Sequence, residues 1–374
     1  MAKNNYIQTA KQILALADVK INGSRPWDIQ VHDERIYKRV LSQGTLGLGE
    51  SYMDAWWDCK ALDQFFHKFL MANLRDQVQG APVLMIALKA KLFNLQKKSR
   101  AYNIGKAHYD IGNDLYKLML DKRMNYSCGY WKNAKTLDQA QEAKLDLICK
   151  KLGLKKGMRV LDIGCGWGGF AKYAAEKCKV KVVGITVSKE QAKLAVDICK
   201  GLNVEIKLED YRNIKGKFDR IVSVGMIEHV GYKNYRTYME IANNCLKDDG
   251  LFLLHTIAGN KSSVIGEPWM HKYIFPDGML PSPVQLTKAI EGLFMIEDWH
   301  NFGADYDKTL MAWYDNFTKN WNEIKKNPKY DDRFFRMWEY YILSCAGGFR
   351  ARNNQLWQIV LSKKGIPGGY ESLR

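Results

Sequence analysis

Long apolar runs are missing from this sequence. None of its 374 residues lies in an uninterrupted apolar stretch of the roughly 18 positions that a membrane-spanning helix needs. The opening segment, MAKNNYIQTAKQILALADVK, is too polar for a secretory signal, so the expected compartment is the cytoplasm. Paired cysteines are missing too. The eight present (Cys59, Cys128, Cys149, Cys165, Cys178, Cys199, Cys245 and Cys345) show no CxxC spacing. That excludes a disulfide framework and offers no zinc-ligand pattern, so no metal is expected. There is no internal repeat and no low-complexity tract. Acidic residues are few beside basic ones, 40 against 57, leaving a net charge of +17. Such a field draws polyanions, either nucleic acid or an anionic membrane face. The basic residues are dispersed and no base-reading or phosphate-reading motif accompanies them, which speaks against nucleic acid.

What is present is enough apolar residue, 47%, to bury a core, in a sequence long enough for one large domain and a smaller one. Residues 1–95 read as helices with short connectors. NNYIQTAKQILALADV is amphipathic, and SYMDAWWDCKALDQFFHKFLMANL carries an aromatic-rich face. Between them, Gly44, Gly47 and Gly49 are expected to mark turns. A basic connector over 96–122 forms the domain boundary, with residues 123–374 as the catalytic domain.

From about residue 155 the pattern changes. MRVLDIGCG, VKVVGITV, VEIKLED, FDRIVSVG and GLFLLHTIA read as strands, with Ser188 placed to cap the helix KEQAKLAVDICKGL. FMIEDWHNF and LWQIVLSKK read as late strands with two long helices between them. Strands alternating with helices argue for a mostly parallel sheet covered on both faces. In such folds ligands sit at the carboxyl ends of the strands, where SVGMIEHVG places Glu228. A carboxylate at that depth costs several kcal/mol if it stays charged and unpaired.

VLDIGCGWGG is a strand running into a glycine-rich turn that opens a helix. Gly164, Gly166 and Gly168 allow a ligand close to the backbone. The spacing is not the GxGxxG dinucleotide fingerprint, and no pyrophosphate-clamping basic residue follows. Asp162, just before the glycines, suits a cationic or zwitterionic ligand. The turn resembles the S-adenosylmethionine loop of class I methyltransferases. One departure is that the second strand ends Gly184-Ile185-Thr186, without the acidic residue that often holds the ribose; Thr186 and Gln191 offer neutral hydrogen bonds instead.

YSCGYW, LDIGCGWGG, GITVSKEQ, VSVGMIEHVG, LLHTIA, YIFPDGMLPS, DWHNFGADYDKTLMAWY and FRARNNQLWQ occur together and in order. Across nearly the whole sequence they resemble the cyclopropane-fatty-acyl-phospholipid synthase family of bacterial type. The resemblance implies a class I methyltransferase, Rossmann-like α/β fold with a mostly parallel seven-stranded sheet and helices on both faces, plus a small, mainly helical N-terminal domain. It implies methylene transfer from S-adenosylmethionine to a cis double bond in an unsaturated phospholipid, with a bound bicarbonate as proton acceptor. By motif match the anion holders are Cys128, Glu228, His255, the backbone of Ile257, and Tyr306. Cofactor contacts are Tyr126, Ser127, Gly164, Gly166, Thr186, Gln191, Asp210 and Tyr211, with Asp162 beside them. Glu228 then holds the anion through the anion's own hydroxyl, and His255 is the positive partner that offsets two like charges sharing a site. The rings of Tyr130, Trp131, Tyr273, Phe275 and Tyr306 suit a cationic intermediate. A homodimer, and docking on the inner face of an anionic phospholipid bilayer through Lys89, Lys91, Lys97 and Lys98, are also implied.

Plainer readings stand beside these. Cys128 and Cys345 suit packing, the former lacking an activating neighbour in sequence. His229 reads as structural, and the tryptophans of DAWWD suit either core or a lipid-facing surface. The competing activities are a related methyltransferase that adds a methyl group to an acyl carbon without ring closure, and a small-molecule N- or O-methyltransferase.

Overall fold

The computed structural model describes residues 2–74 and 112–374. Lys89, Lys91, Lys97 and Lys98, and most of the 96–122 connector, lie outside the described residues. The protein divides into two compact units that interleave in sequence. One gathers Met1–Phe93, Val264–Pro276 and Tyr306–Asn354; the other gathers Asn94–Ser263, Asp277–Asp305 and Gln355–Arg374.

The first unit is mainly helical. Its helices include Ala2–Leu16, Arg35–Gln43, Thr45–Met53, Leu62–Met71 and Asp332–Arg350, beside an antiparallel pair of two-residue strands, Gln30–Val31 and Trp57–Asp58. Segments 264–276 and 306–354, read with the catalytic half, pack here because their small and aromatic residues complete this core. At Gly347 an added Cβ would lie 2.6 Å from the Asp63 carbonyl oxygen, so helices Asp332–Arg350 and Leu62–Met71 meet backbone to backbone. Only Gly44 of the three expected turn glycines breaks a helix, at φ 61°. Gly47 and Gly49 lie within helix Thr45–Met53. They are small for packing, not for turning: a Cβ would meet the Arg39 carbonyl oxygen at 2.6 Å and the Trp269 ring at 2.4 Å, respectively. Among the described residues no helix is long and apolar enough to cross a membrane.

The second unit carries a seven-stranded sheet. Its strands are β1 (Arg159–Ile163), β2 (Lys181–Thr186), β3 (Val204–Leu208), β4 (Phe218–Val224), β5 (Leu246–Gly259), β6 (Met295–Asn301) and β7 (Asn354–Ser362). Their order is β3-β2-β1-β4-β5-β7-β6. Strands β1 to β5 pair in parallel, and β7, inserted between β5 and β6, runs antiparallel to β6. Side chains alternate across the sheet, as the pleat requires. Val160, Val182 and Val222 pack under helices Leu137–Lys151 and Gly169–Cys178, while Leu161, Val183 and Ile221 pack under Tyr235–Cys245 and Pro283–Ile290. Both faces are covered. The backbone moves outward from β1 to β3, then returns to β4 beside β1. That reversal opens a crevice at the carboxyl ends of β1 and β4.

Candidate active site

The glycine turn follows β1 at this crevice. The Gly164 and Cys165 N–H groups both donate to the Ile185 carbonyl, at 3.0 and 2.9 Å, pinning the turn to β2. Gly164 has φ 83°, and a Cβ there would lie 2.8 Å from Met226 Cγ. Glycine is required twice over, by conformation and by the close approach of the β4 exit. Before it, Asp162 is buried, and burial pushes its carboxyl up to about 7 against the opposing pull of Lys144. Its Oδ2 has no hydrogen-bond partner among the described residues. A buried carboxylate oxygen in that state is an acceptor for a ligand cation.

The other expected cofactor contacts fall into two groups. Tyr126 and Ser127 lie beside the turn: the Tyr126 ring is 5.0 Å from Tyr116, which lies 4.8 Å from Trp167 of the turn itself. The Ser127 hydroxyl accepts from Lys144 Nζ at 2.8 Å. At the end of β2, the Thr186 hydroxyl donates to Gln191 Oε1 at 2.8 Å, and Ser188 caps helix Lys189–Ile198 by accepting the Gln191 N–H. Asp210 caps the single turn Tyr211–Asn213 and is paired with Arg212 at 2.8 Å. The Tyr211 ring instead packs in the core, 5.2 Å from Tyr238, with its phenol pushed up to about 12 by burial. Its side chain is a core element.

Glu228 sits where β4 empties into the single turn Ile227–His229. Gly225, at φ 65°, reverses the backbone, and its N–H donates to the His255 carbonyl at 2.9 Å. Val224 is in register with His255, so β4 and β5 deliver Glu228 and His255 side by side. Glu228 Oε1 accepts the Ile257 N–H at 2.7 Å, while Oε2 accepts from no described residue. Burial pushes the carboxyl up to about 7, with the Glu228 and Ile257 amides and the Thr256 hydroxyl opposing. The expected backbone donor to an anion, Ile257, therefore holds Glu228 itself.

His255 departs from expectation in charge. Burial, aided by the ammonium groups of Lys144 and Lys151, holds its imidazole well below the usual histidine range, so it is neutral and not the positive partner. Gln358 of β7 places its amide nitrogen 3.3 Å from His255 Nδ1. Nδ1 then accepts, and the neutral ring carries its proton on Nε2, an atom with no described partner. We expect nitrogen-15 NMR to find His255 neutral at pH 6, with its proton on Nε2. An imidazolium signal at that pH would contradict this arrangement.

Two lysines on helix Leu137–Lys151 join the site without any motif that marks them. Lys144 and Lys151 are each 1% exposed. They stand two turns apart on one face, and burial pushes each down to about 8. Lys151 pairs with Asp298 at 3.3 Å and lies 3.1 Å from His300 Nδ1. The signal that could have found them is their phase: both fall on the stripe with Leu137, Ala140 and Ile148 that faces the core.

Cys128 is buried, its thiol 3.2 Å from the Gly129 carbonyl. The Phe302 ring lies 5.9 Å from His255 and 5.3 Å from Tyr130, and the Trp131 N–H donates to Asp305 at 2.7 Å. Tyr306, Tyr273 and Phe275 belong to the first unit. There Tyr306 lies 4.5 Å from Phe349, Tyr273 donates its hydroxyl to Glu50, and Phe275 meets Tyr341 edge-on.

A family model for mycolic acid cyclopropane synthetase matches residues 96–359. The cyclopropane-fatty-acyl-phospholipid synthase of Escherichia coli is 55% identical over 373 residues, 99% of this protein and 97% of that one. The cyclopropane synthase MmaA2 from Mycobacterium tuberculosis is similar in structure at TM-score 0.66 and 30% identity, covering 70% of this protein and 98% of that one. Mycolic acid cyclopropane synthase CmaA1, complexed with SAH and CTAB, gives TM-score 0.63 and 32% identity, over 70% of this protein and 98% of that one. With a glycine turn, a buried carboxylate–histidine pair and identity over nearly its full length, this protein belongs to the mycolic acid cyclopropane synthetase family of S-adenosylmethionine-dependent methyltransferases.

Proposed function

We propose that this protein transfers a methylene group from S-adenosylmethionine to the cis double bond of unsaturated acyl groups in phospholipids, forming a cyclopropane ring. The observation that carries this is the buried Glu228–His255 pair beside the turn at Gly164 and Gly166, in a protein 55% identical to a cyclopropane-fatty-acyl-phospholipid synthase. An alkene is a weak nucleophile, so it must meet the sulfonium methyl in line and away from water. The methylated acyl group carries a positive charge, loses a proton from the new methyl group, and closes the ring.

Side chains of the second unit divide this work. Asp162, Gly164, Gly166, Ser127, Tyr126, Thr186 and Gln191 hold S-adenosylmethionine, and Asp210 fixes the turn below it. Phe302 packs edge-on against His255, and with Tyr130 beside it offers aromatic rings to a cation. The unpartnered Glu228 Oε2 and His255 Nε2 form an acceptor–donor pair that fits a small oxyanion bearing its own hydroxyl. Bicarbonate held there by Glu228 and His255 would supply the proton acceptor, and for Cys128 the support is its match to the family motif. Ile257 acts through its N–H on Glu228. For Tyr306 the support is its match to the family motif alone. Docking on an anionic bilayer surface is supported by the +17 charge, and a homodimer by resemblance only.

The test is mass spectrometry of unsaturated phospholipid vesicles incubated with the protein and S-adenosylmethionine. The expected product has gained one CH2 and lost its olefin signal. A product that keeps a double bond beside the added carbon indicates acyl methylation without closure. Unchanged lipid overturns the reading.

A further inference from the structure

We propose that Lys144 is a positioning residue that fixes the Ser127 hydroxyl as the donor to the α-carboxylate of S-adenosylmethionine, making the site selective for a carboxylate-bearing cofactor. This rests on the reading that the glycine turn takes S-adenosylmethionine.

An ammonium has only protons to give. With Nζ 2.8 Å from Ser127 Oγ, Lys144 donates and the hydroxyl accepts. The proton of Ser127 must then point elsewhere, and no described residue accepts it. The hydroxyl is left as an oriented donor, polarised by the charge behind it. Two features hold it in place. The Ser127 carbonyl accepts from Gln141 at 2.7 Å, on the same helix as Lys144. Just upstream, a Cβ on Gly169 would meet the Arg123 carbonyl oxygen at 2.7 Å, so this segment lies against the first turn of the helix that the glycine turn opens.

The charge on Lys144 supplies the second half of the argument. Lys151 has Asp298 in direct contact, whereas Lys144 makes no ion pair among the described residues. The carboxylates that act on it, Asp121 and Asp162, do so through space. Asp121 is already engaged by the Asn125 backbone and side-chain amides at 2.7 and 2.9 Å. A buried ammonium without a contacting anion is unfavourable unless a ligand anion completes it. Asp162, with Oδ2 unpartnered, is the opposite case at the start of the same turn. One buried positive and one buried negative group match the two charges of an amino-acid terminus.

The experiment is calorimetric titration without lipid, using S-adenosylmethionine and decarboxylated S-adenosylmethionine, which keeps the amine and lacks the carboxylate. The wild-type protein is expected to favour S-adenosylmethionine by roughly 10-fold to 100-fold. Lys144→Met and Ser127→Ala should each reduce that preference to about threefold or less, weakening S-adenosylmethionine alone. Their combination should add little, because both act on one contact. Equal weakening of both ligands by Lys144→Met means scaffolding and overturns the proposal, as does a preference that survives either substitution. If Lys144→Met does not fold, Ser127→Ala decides by the same criterion. A wild-type protein that binds neither ligand overturns the functional reading instead.

Discussion

Glu228→Gln is expected to lower turnover by at least about 100-fold while leaving the affinity for S-adenosylmethionine within about twofold. The glutamine keeps an oxygen to accept the Ile257 N–H but replaces Oε2, the unpartnered acceptor, with a donor. An anion's hydroxyl then has nothing to donate to. The cofactor turn at Gly164–Gly168 makes none of its bonds through this carboxylate, so binding should persist. The same variant should also be more stable at alkaline pH. Burial raises the Glu228 carboxyl from 4.5 to about 7 in the folded protein. Its contribution to stability is therefore full below about pH 4.5 and is lost as pH rises through about 7. Glutamine cannot ionise, so at pH 8 it avoids a penalty of roughly 3 kcal/mol, and the difference should vanish toward pH 4.5. Thermal denaturation at pH 5 and pH 8, beside lipid turnover and calorimetry, reads all three effects. Lost cofactor binding would move Glu228 into the cofactor site, and unchanged turnover would remove it from the chemistry.

In the first unit, Gly347→Ala should destabilise the protein by roughly 1–3 kcal/mol, whereas Gly348→Ala, one residue along, should be neutral or stabilising by up to about 1 kcal/mol. Both glycines lie in helix Asp332–Arg350, where alanine has the better intrinsic propensity. Packing decides the sign. A Cβ at 347 would stand 2.6 Å from the Asp63 carbonyl oxygen and 2.8 Å from the His67 nitrogen, backbone atoms that move only if the helices part. At 348 the nearest atoms, Asn354 Nδ2 and Leu70 Cδ1, are both 3.7 Å away, an ordinary contact. Equal melting temperatures for the two variants would show that the helices separate without cost.

The sheet was legible in the sequence because parallel strands buried on both faces are written as apolar runs, and VLDI, VVGIT and RIVSV are such runs. The turn at Gly164–Gly168 and the cap at Ser188 were legible because both depend on local backbone chemistry. Glu228 and His255 could be placed at strand ends. The protonation state of His255 was not legible, since it follows from burial and from Lys144 and Lys151, more than a hundred residues away in sequence. No motif marks those lysines, and lysine on a helix is usually solvated, although their phase on the apolar stripe says otherwise. Gly47 and Gly49 look like turn signals until Arg39 and Trp269 are seen to occupy the space a side chain would take. The two interleaved units escaped for a related reason: periodicity names a buried face but not which distant segment covers it.

The place of β7 bears on when the protein becomes competent during synthesis. This strand enters the sheet between β5 and β6, although it is the last of the seven in sequence. A growing polypeptide on the ribosome can assemble β1 to β5 with their helices, but β6 has no partner until residues 354–362 have emerged. The same strand brings Gln358, whose amide sets the His255 tautomer. The nascent polypeptide can thus form its cofactor crevice early, while its histidine acquires the working tautomer only when the final strand slides home.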